Sequence, residues 1–432
     1  MQQNKPIALR NNFYWTFVGN LVYSGCQWGM LVVLAKLGSP AMVGQFTLGL
    51  AVTAPIVMLT NLQLRNIQST DARNHYLFSD YLGLRLMMTG LALPTIVGIT
   101  LATGYRGETA LVIILIGLGK AIESISDVFY GLLQQHEQMD RMALSVMMKG
   151  LLSLLMLSMG IYISGSVLWG VVGLVIAWAF VLFIWDIPSC QWLINKCTSE
   201  GEIPDSLKGM TLRPRWQLKT VRNLIWLALP LGLVMMLISL NANIPRYFLE
   251  KYLGTRELGV FAALAYLIVA GNMVVSALGG AARPRLAKYY AAGNVTKYQK
   301  LLLQLVGIGC LLGLASILVA YVAGQEILSI VYQPEYAKYA DILIWLMVTA
   351  GIGYVSSFLG EGMTAARYFR VQIPLFVIVT SICAIASFWL IPTNGLVGAA
   401  IVLMIAEIVR IILTLGVIFH ALQIFRRHKQ SI

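Results

Sequence analysis

Apolar residues run through this chain in blocks of about twenty, parted by short stretches that hold the charges, prolines and turn glycines. A block of that length crosses hydrocarbon as an α-helix, whereas a membrane strand needs only about ten residues. On that scale the chain predicts twelve membrane-spanning helices, over 13–35, 42–64, 80–102, 109–132, 143–164, 168–187, 223–245, 257–279, 301–323, 340–360, 372–391 and 396–420. The longest interruption, 188–222, holds Lys196, Lys208, Arg213, Arg215, Lys219 and Arg222 with Pro188, Pro204 and Pro214. It predicts a cytoplasmic linker between an N-terminal six-helix bundle (1–187) and a C-terminal one (223–432). The first block lacks a small-residue cleavage site, so Phe13 onward reads as a span that is retained.

Composition agrees with an all-α integral membrane protein. The 432 residues are 58% hydrophobic and 11% charged, against about 25% charged in soluble domains. A soluble globule cannot bury so much apolar surface, and a disordered chain would not carry it. The net charge of +13 would suggest nucleic acid in a soluble protein. Here the distribution of the basic residues removes that reading. With the N-terminus inside, 21 Lys and Arg fall in cytoplasmic segments, six fall outside, and Arg85, Lys120, Lys149 and Arg410 lie within spans. That bias places both termini in the cytoplasm. The five cysteines form no C-x-x-C pair and the four histidines show no zinc spacing, so no metal site is expected.

The halves read as copies. Leu37-Gly38 followed by Gly44-x-Phe46 recurs as Leu253-Gly254 followed by Gly259-x-Phe261. Gly131 and Arg141 recur as Gly360 and Arg370, and Gly170-Val-Val-Gly173 as Gly395-Leu-Val-Gly398. Six spans is an even number, so both copies insert the same way up. This predicts a pseudo-twofold axis along the membrane normal and a pathway between the bundles, as in transporters built from parallel repeats.

Three segments carry a family resemblance. Ile391-Pro392-Thr393-Asn394-Gly395-Leu396-Val397-Gly398-Ala399-Ala400 leads into the last span, Arg283-Pro284-Arg285-Leu286-Ala287-Lys288-Tyr289 with Gly293 follows the eighth, and Tyr332 to Tyr336 precedes the tenth. With the 6+6 layout they resemble the polysaccharide transporter family, the O-antigen and lipid-linked oligosaccharide flippases of the multidrug/oligosaccharidyl-lipid/polysaccharide (MOP) superfamily. The resemblance implies a MATE-like fold in a bacterial inner membrane. It implies a secondary transporter rather than an enzyme, carrying an oligosaccharide on polyprenyl pyrophosphate from the cytoplasmic to the outer leaflet. It implies no cofactor beyond H+ or Na+ as a coupling ion, a monomer surrounded by membrane lipid, and polymerase or glycosyltransferase partners. Two other readings remain: a MATE-like exporter of small organic cations, and a membrane polysaccharide polymerase or ligase. The exporter would favour a cavity rich in carboxylates. The enzyme would need acid/base groups in an outside loop, and the longest one, 324–339, holds neither His nor Arg.

A flippase carries a pyrophosphate and many hydroxyls across a layer where each charge costs about 2.5–3.5 kcal/mol or more, so cations facing a wet interior are expected. Lys120, Glu123 and Asp127 share one face of span four. Lys120 is the candidate for phosphate, and Glu123 or Asp127 for the coupling ion; a locking ion pair between Lys120 and Glu123 is the plain structural alternative. Glu407 and Arg410 stand three apart in span twelve, as a coupling site or as a mutual neutralisation. Arg65 and Arg283 are candidates for a cytoplasmic phosphate entrance, or products of the charge bias alone. Arg85 joins them, or snorkels to the surface. Arg246 is the candidate for the far side, or an interface anchor. Asn20, Gln27 and Asn272 are candidates for sugar hydroxyls, or for interhelical hydrogen bonds. Pro55, Pro94 and Pro230 mark hinges or plain kinks.

Overall fold

The structure, a computed structural model, describes residues 5–71, 75–199, 212–368 and 370–430, with side chains throughout except at 5–10, 13, 197–199 and 424–430. Lys5, Arg10, Arg73, Cys197, Pro204, Lys208, Arg426, Arg427 and Lys429, which contribute to the sequence reading, lie outside the described side chains. The described residues are helical, without strands. In chain order the helices are α1 (Lys5–Leu37), α2 (Pro40–Asn61), α3 (Leu64–Thr70), α4 (Phe78–Ala102), α5 (Gly107–Gln135), α6 (Met139–Ser164), α7 (Val167–Val181), α8 (Ile187–Ser199), α9 (Leu218–Leu253), α10 (Thr255–Tyr266), α11 (Ile268–Ala291), α12 (Val295–Val331), α13 (Ala340–Ala365) and α14 (Gln372–Gln430). A π-helical turn, Leu182–Asp186, joins α7 to α8, and a 3-10 turn, Pro334–Tyr339, leads into α13.

Eleven helical stretches among the described residues are long and apolar enough to cross a membrane. The last, Gln372–Gln423, has 52 residues, about 78 Å of helix at 1.5 Å per residue against roughly 30 Å of hydrocarbon. It is two spans. They meet at Gly395, whose φ of 58° and ψ of −132° break the helix in a region that glycine tolerates without a Cβ clash. Twelve crossings result. α2 and α4 run unbroken through Pro55 and Pro94, and α9 contains Pro230.

Local chemistry accounts for the ends. Ser39 caps α2 by accepting from the Met42 N–H at 3.4 Å, with Pro40 at the first helical position. Ser166 caps α7 by accepting from the Leu168 N–H at 3.1 Å. Asn294 caps α12 by accepting from the Lys297 N–H at 3.1 Å. Gly165 ends α6 in the left-handed conformation.

The chain divides into two compact units, Met1–Met236 and Leu237–Ile432, with the boundary inside α9. In the first unit, Phe78, Tyr81, Phe129, Leu132 and Leu133 build a core with Cys190, Leu193, Val221, Leu224 and Ala228. Helix therefore continues past residue 187, where the sequence places the start of the linker, because Cys190 and Leu193 have a core to enter. The other end of that segment docks too: the Arg215 N–H donates to the Ser79 carbonyl at 2.9 Å. In the second unit α12 crosses α13 at Gly313 and Gly351, where a Cβ on either would stand 2.6 or 3.0 Å from the other's Cα. Small residues here let two membrane helices approach closely.

The repeated motifs occupy matching places in their own units. Leu37 and Leu253 end α1 and α9, and Gly38 and Gly254 follow them. Gly131 and Gly360 lie late in α5 and α13, Gly170 lies in the first turn of α7, and Gly395 stands at the break inside α14.

Candidate functional site

The charged residues of α5 continue as a longer stripe. Lys120, Glu123, Asp127, Tyr130 and Gln134 follow one another at spacings of three and four, so they lie along one face. All five turn towards other helices of the first unit.

At one end Lys120 Nζ donates to Glu123 Oε2 at 2.7 Å and sits 5.0 Å from the centre of the Trp178 ring on α7. The Tyr23 hydroxyl of α1 donates to Glu123 Oε1 at 2.7 Å, and Gln27 hydrogen-bonds Tyr23. Both charged side chains keep partial exposure, 22% for Lys120 and 28% for Glu123.

In the middle Asp127 is held between two guanidinium groups. Arg85 of α4 donates from Nη2 to Oδ2 at 3.1 Å, and Arg65 of α3 lies 3.6 Å from Oδ1. Arg85 also donates from Nη1 to Asn61 Oδ1 at 2.5 Å. It is fully buried, with Nε unpartnered. Arg65 donates further to Gln134 Oε1 at 3.0 Å and lies against the Met142 sulfur.

At the far end the network closes on itself. Lys149 Nζ of α6 donates to the Tyr130 hydroxyl at 2.8 Å and to Asp186 Oδ2 at 3.0 Å. Ser145 donates to Asp186 Oδ1 and shares a 2.7 Å hydrogen bond with Tyr130. The π turn delivers Asp186 to this spot, and such turns recur where a helix must re-aim a side chain. In total four cations (Arg65, Arg85, Lys120, Lys149) meet three carboxylates (Glu123, Asp127, Asp186).

In the second unit the pairs are simpler. Arg283 of α11 grips Glu361 of α13 with both prongs, Nε to Oε2 at 2.5 Å and Nη2 to Oε1 at 2.7 Å. Arg410 donates to Glu407 Oε2 at 3.4 Å and lies 5.5 Å from the centre of the Phe376 ring. Arg246 donates to Asn243 Oδ1 at 3.1 Å, one helical turn back.

The structure thus brings Lys120, Glu123, Asp127, Arg65, Arg85 and Gln27 into one network in the first unit; Arg246, Arg283 and Glu407 belong to the second unit. One expectation is corrected. Arg85 does not snorkel: a side chain fully buried against Asn61 and Asp127 cannot reach the surface. Asn20 and Asn272 are exposed. Tyr23, Tyr130, Gln134, Ser145, Lys149 and Asp186 were missed as site residues. The heptad continuation from Lys120 would have found Tyr130 and Gln134. No signal in one sequence pairs Lys149 with Asp186. Among the described residues no cluster of His, Cys, Asp and Glu could hold a metal ion.

Comparison with known proteins follows the same lines. Residues 9–290 match the family described as "Polysaccharide biosynthesis protein". The capsular polysaccharide biosynthesis protein CapF of Staphylococcus aureus is 28% identical over 403 residues, 93% of this chain and 97% of that protein. Among solved structures, an inward-facing multidrug resistance MATE family transporter of the MOP superfamily superimposes with a TM-score of 0.68 at 16% identity, covering 95% of this chain and 99% of the other. A MOP superfamily transporter from Pyrococcus furiosus gives 0.65 at 18% identity, covering 96% and 95%. Helices of membrane-crossing length, an ionic network along α5, the superposition on MOP superfamily transporters and a match over residues 9–290 lead to one conclusion: this chain belongs to the polysaccharide biosynthesis protein family and has the fold of the MOP superfamily transporters.

Proposed function

We propose that this protein is a flippase that moves a polyprenyl-pyrophosphate-linked oligosaccharide from the cytoplasmic to the outer leaflet of a bacterial inner membrane by alternating access. Both termini then lie in the cytoplasm, and H+ or Na+ supplies the driving force. The observation that carries the reading is the α5 stripe: a transport protein of polysaccharide synthesis holding Lys120 and Arg65, both partly exposed, beside carboxylates that can exchange partners. An ammonium has three donors. Lys120 gives one to Glu123, leaving two for a phosphate oxygen. A proton or sodium ion arriving at Glu123 competes with Lys120 for the same carboxylate and frees the ammonium for substrate. Asp127 offers the same competition to Arg65. Arg85, buried and doubly bonded, fixes Asp127 rather than meeting substrate. In the second unit Arg283 and Arg246 supply further cations and Glu407 a further carboxylate, and the exposed amides of Asn20 in the first unit and Asn272 in the second stand ready for hydroxyls.

The polymerase and glycosyltransferases of the same polysaccharide are the proposed partners, with the flippase itself a monomer. The small-cation exporter keeps the same fold, but a network with four cations and three carboxylates repels organic cations more than a purely acidic cavity would.

The test is reconstitution into liposomes carrying a fluorescent polyprenyl-pyrophosphate oligosaccharide, probed from outside with an impermeant glycosidase. With protein, the digestible fraction is expected to rise from about half to nearly all. Liposomes that export an organic cation while the digestible fraction stays at half would discard the reading.

A further inference from the structure

The second unit contains a cavity of about 240 Å³ walled by α9, α11, α13 and α14. At roughly 30 Å³ per molecule of liquid water, that is space for about eight waters, or for one sugar ring. An oligosaccharide does not fit.

Two charged side chains line it, and each already has a partner of opposite sign. Arg410 pairs with Glu407 at 3.4 Å. Glu361 is held by both prongs of Arg283. The four charges sum to zero, so the cavity has no excess of either sign with which to select an ion. A charged ligand would bring its charge unbalanced into the membrane interior, at a cost of about 2.5–3.5 kcal/mol or more.

The uncharged polar groups are less well served. Among the described residues the lining hydroxyls of Ser276 and Ser357 make no hydrogen bond. Gln372 is held only by a 3.4 Å bond to the Thr364 hydroxyl. A guanidinium carries five N–H donors, and Arg410 gives one of them to Glu407. Each Glu361 oxygen accepts once from Arg283 and keeps a lone pair for a further donor.

The lining therefore offers donors and acceptors side by side and no net charge. A hydroxyl, which does both, is the group that answers it. An acyl chain would leave the serines and Gln372 without polar contact. A neutral pyranose carries several hydroxyls around its rim, and its C–H groups meet the apolar wall of Val275, Met363 and Phe376.

We propose that this cavity is a subsite for one neutral pyranose residue of the carried glycan, chosen by its hydroxyls and by its lack of charge. The assignment rests on the flippase reading and names the part of the substrate that the second unit recognises.

The test is saturation-transfer NMR on the full-length protein in nanodiscs with methyl glucoside, methyl glucuronide and methyl glucosaminide, three pyranosides of similar size and different charge. The neutral glucoside is expected to bind about tenfold more tightly than either charged sugar. Glu407→Gln strips Arg410 of its counter-charge and is expected to turn the preference towards the glucuronide, a gain that misfolded protein does not produce. Ser357→Phe fills the cavity and is expected to abolish glucoside binding. No binding of glucoside by the wild type, equal affinities for the three sugars, or a preference for a charged one overturns the subsite. So does a Glu407→Gln protein that keeps the wild-type order, or a Ser357→Phe protein that binds glucoside as before. The measurement needs no flipping. Protein that flips lipid-linked oligosaccharide but binds no glucoside defeats the subsite alone, and protein that binds glucoside but fails to flip defeats the flippase reading alone.

Discussion

Lys149 Nζ stands 3.0 Å from Asp186 Oδ2, and the two side chains are 2% and 0% exposed. No other ion pair among the described residues is buried so completely on both sides. Removing one partner of such a pair leaves a bare charge and typically costs about 3–5 kcal/mol, whereas replacing both by apolar groups of similar size is often neutral or stabilising. Asp186→Leu is therefore expected to lower unfolding stability by about that amount, and Lys149→Met with Asp186→Leu to recover most of it. Thermal unfolding in detergent reads both. A double variant as unstable as the single would mean that the pair is not the source of the loss.

Lys120 separates function from folding more cleanly. Its ammonium is partly exposed and pairs with a neighbour on its own helix, so Lys120→Ala removes little packing, and Glu123 keeps the Tyr23 hydroxyl as a partner. The variant is expected to reach the membrane at wild-type level and to abolish surface polysaccharide. Wild-type polysaccharide from Lys120→Ala cells would discard the phosphate role.

The two carboxylates of the stripe should behave differently when made amides. Glu123→Gln removes a partly exposed charge and is expected to alter the dependence of flipping on proton or sodium gradients while leaving stability near wild type. Asp127→Asn strips the counter-charge from Arg85, which is fully buried, and is expected to cost about 3 kcal/mol or more as well as shifting the gradient dependence. Flipping rates across imposed gradients, set beside unfolding midpoints, test both. Unchanged gradient dependence in the two amides would remove them as coupling sites.

The sequence was most informative where one physical constraint acts alone. Bilayer thickness sets the length of an apolar run, so the crossings were countable, and even the pair that fuses into α14 could be parted at Gly395. Residues on one helix share a face by arithmetic, so Lys120, Glu123 and Asp127 were legible as a group. What a single chain does not encode locally is which helix lies opposite. Arg85 has the same sequence context whether it snorkels or turns inward; only α2 and α5, arriving with Asn61 and Asp127, decide it. Lys149 and Asp186 lie 37 positions apart and meet because a π turn rotates Asp186 by a fraction of a turn, a shift that hydrophobic periodicity does not register.

Outside the spans, Asp71, just after α3, holds His75 and Tyr76 by hydrogen bonds and yields a pH prediction. Burial pushes the Asp71 carboxyl up. The His75 ring at 3.0 Å and the N–H groups of His75 and Tyr76, at 3.1 and 3.2 Å, outweigh it, and the group ends below its ordinary value. A carboxyl whose folded pKa is depressed binds its proton more readily in the unfolded chain. Its contribution to stability is present in full above the unfolded pKa of about 3.9 and disappears as pH falls through the lower folded value. Asp71→Asn is accordingly expected to unfold at a lower temperature than wild type at neutral pH, with the gap narrowing as the pH drops below about 4. Melting curves of both proteins from pH 7 down to the acid limit of the detergent measure it. A gap that stays constant across that range would show that Asp71 acts through its shape and not through its charge.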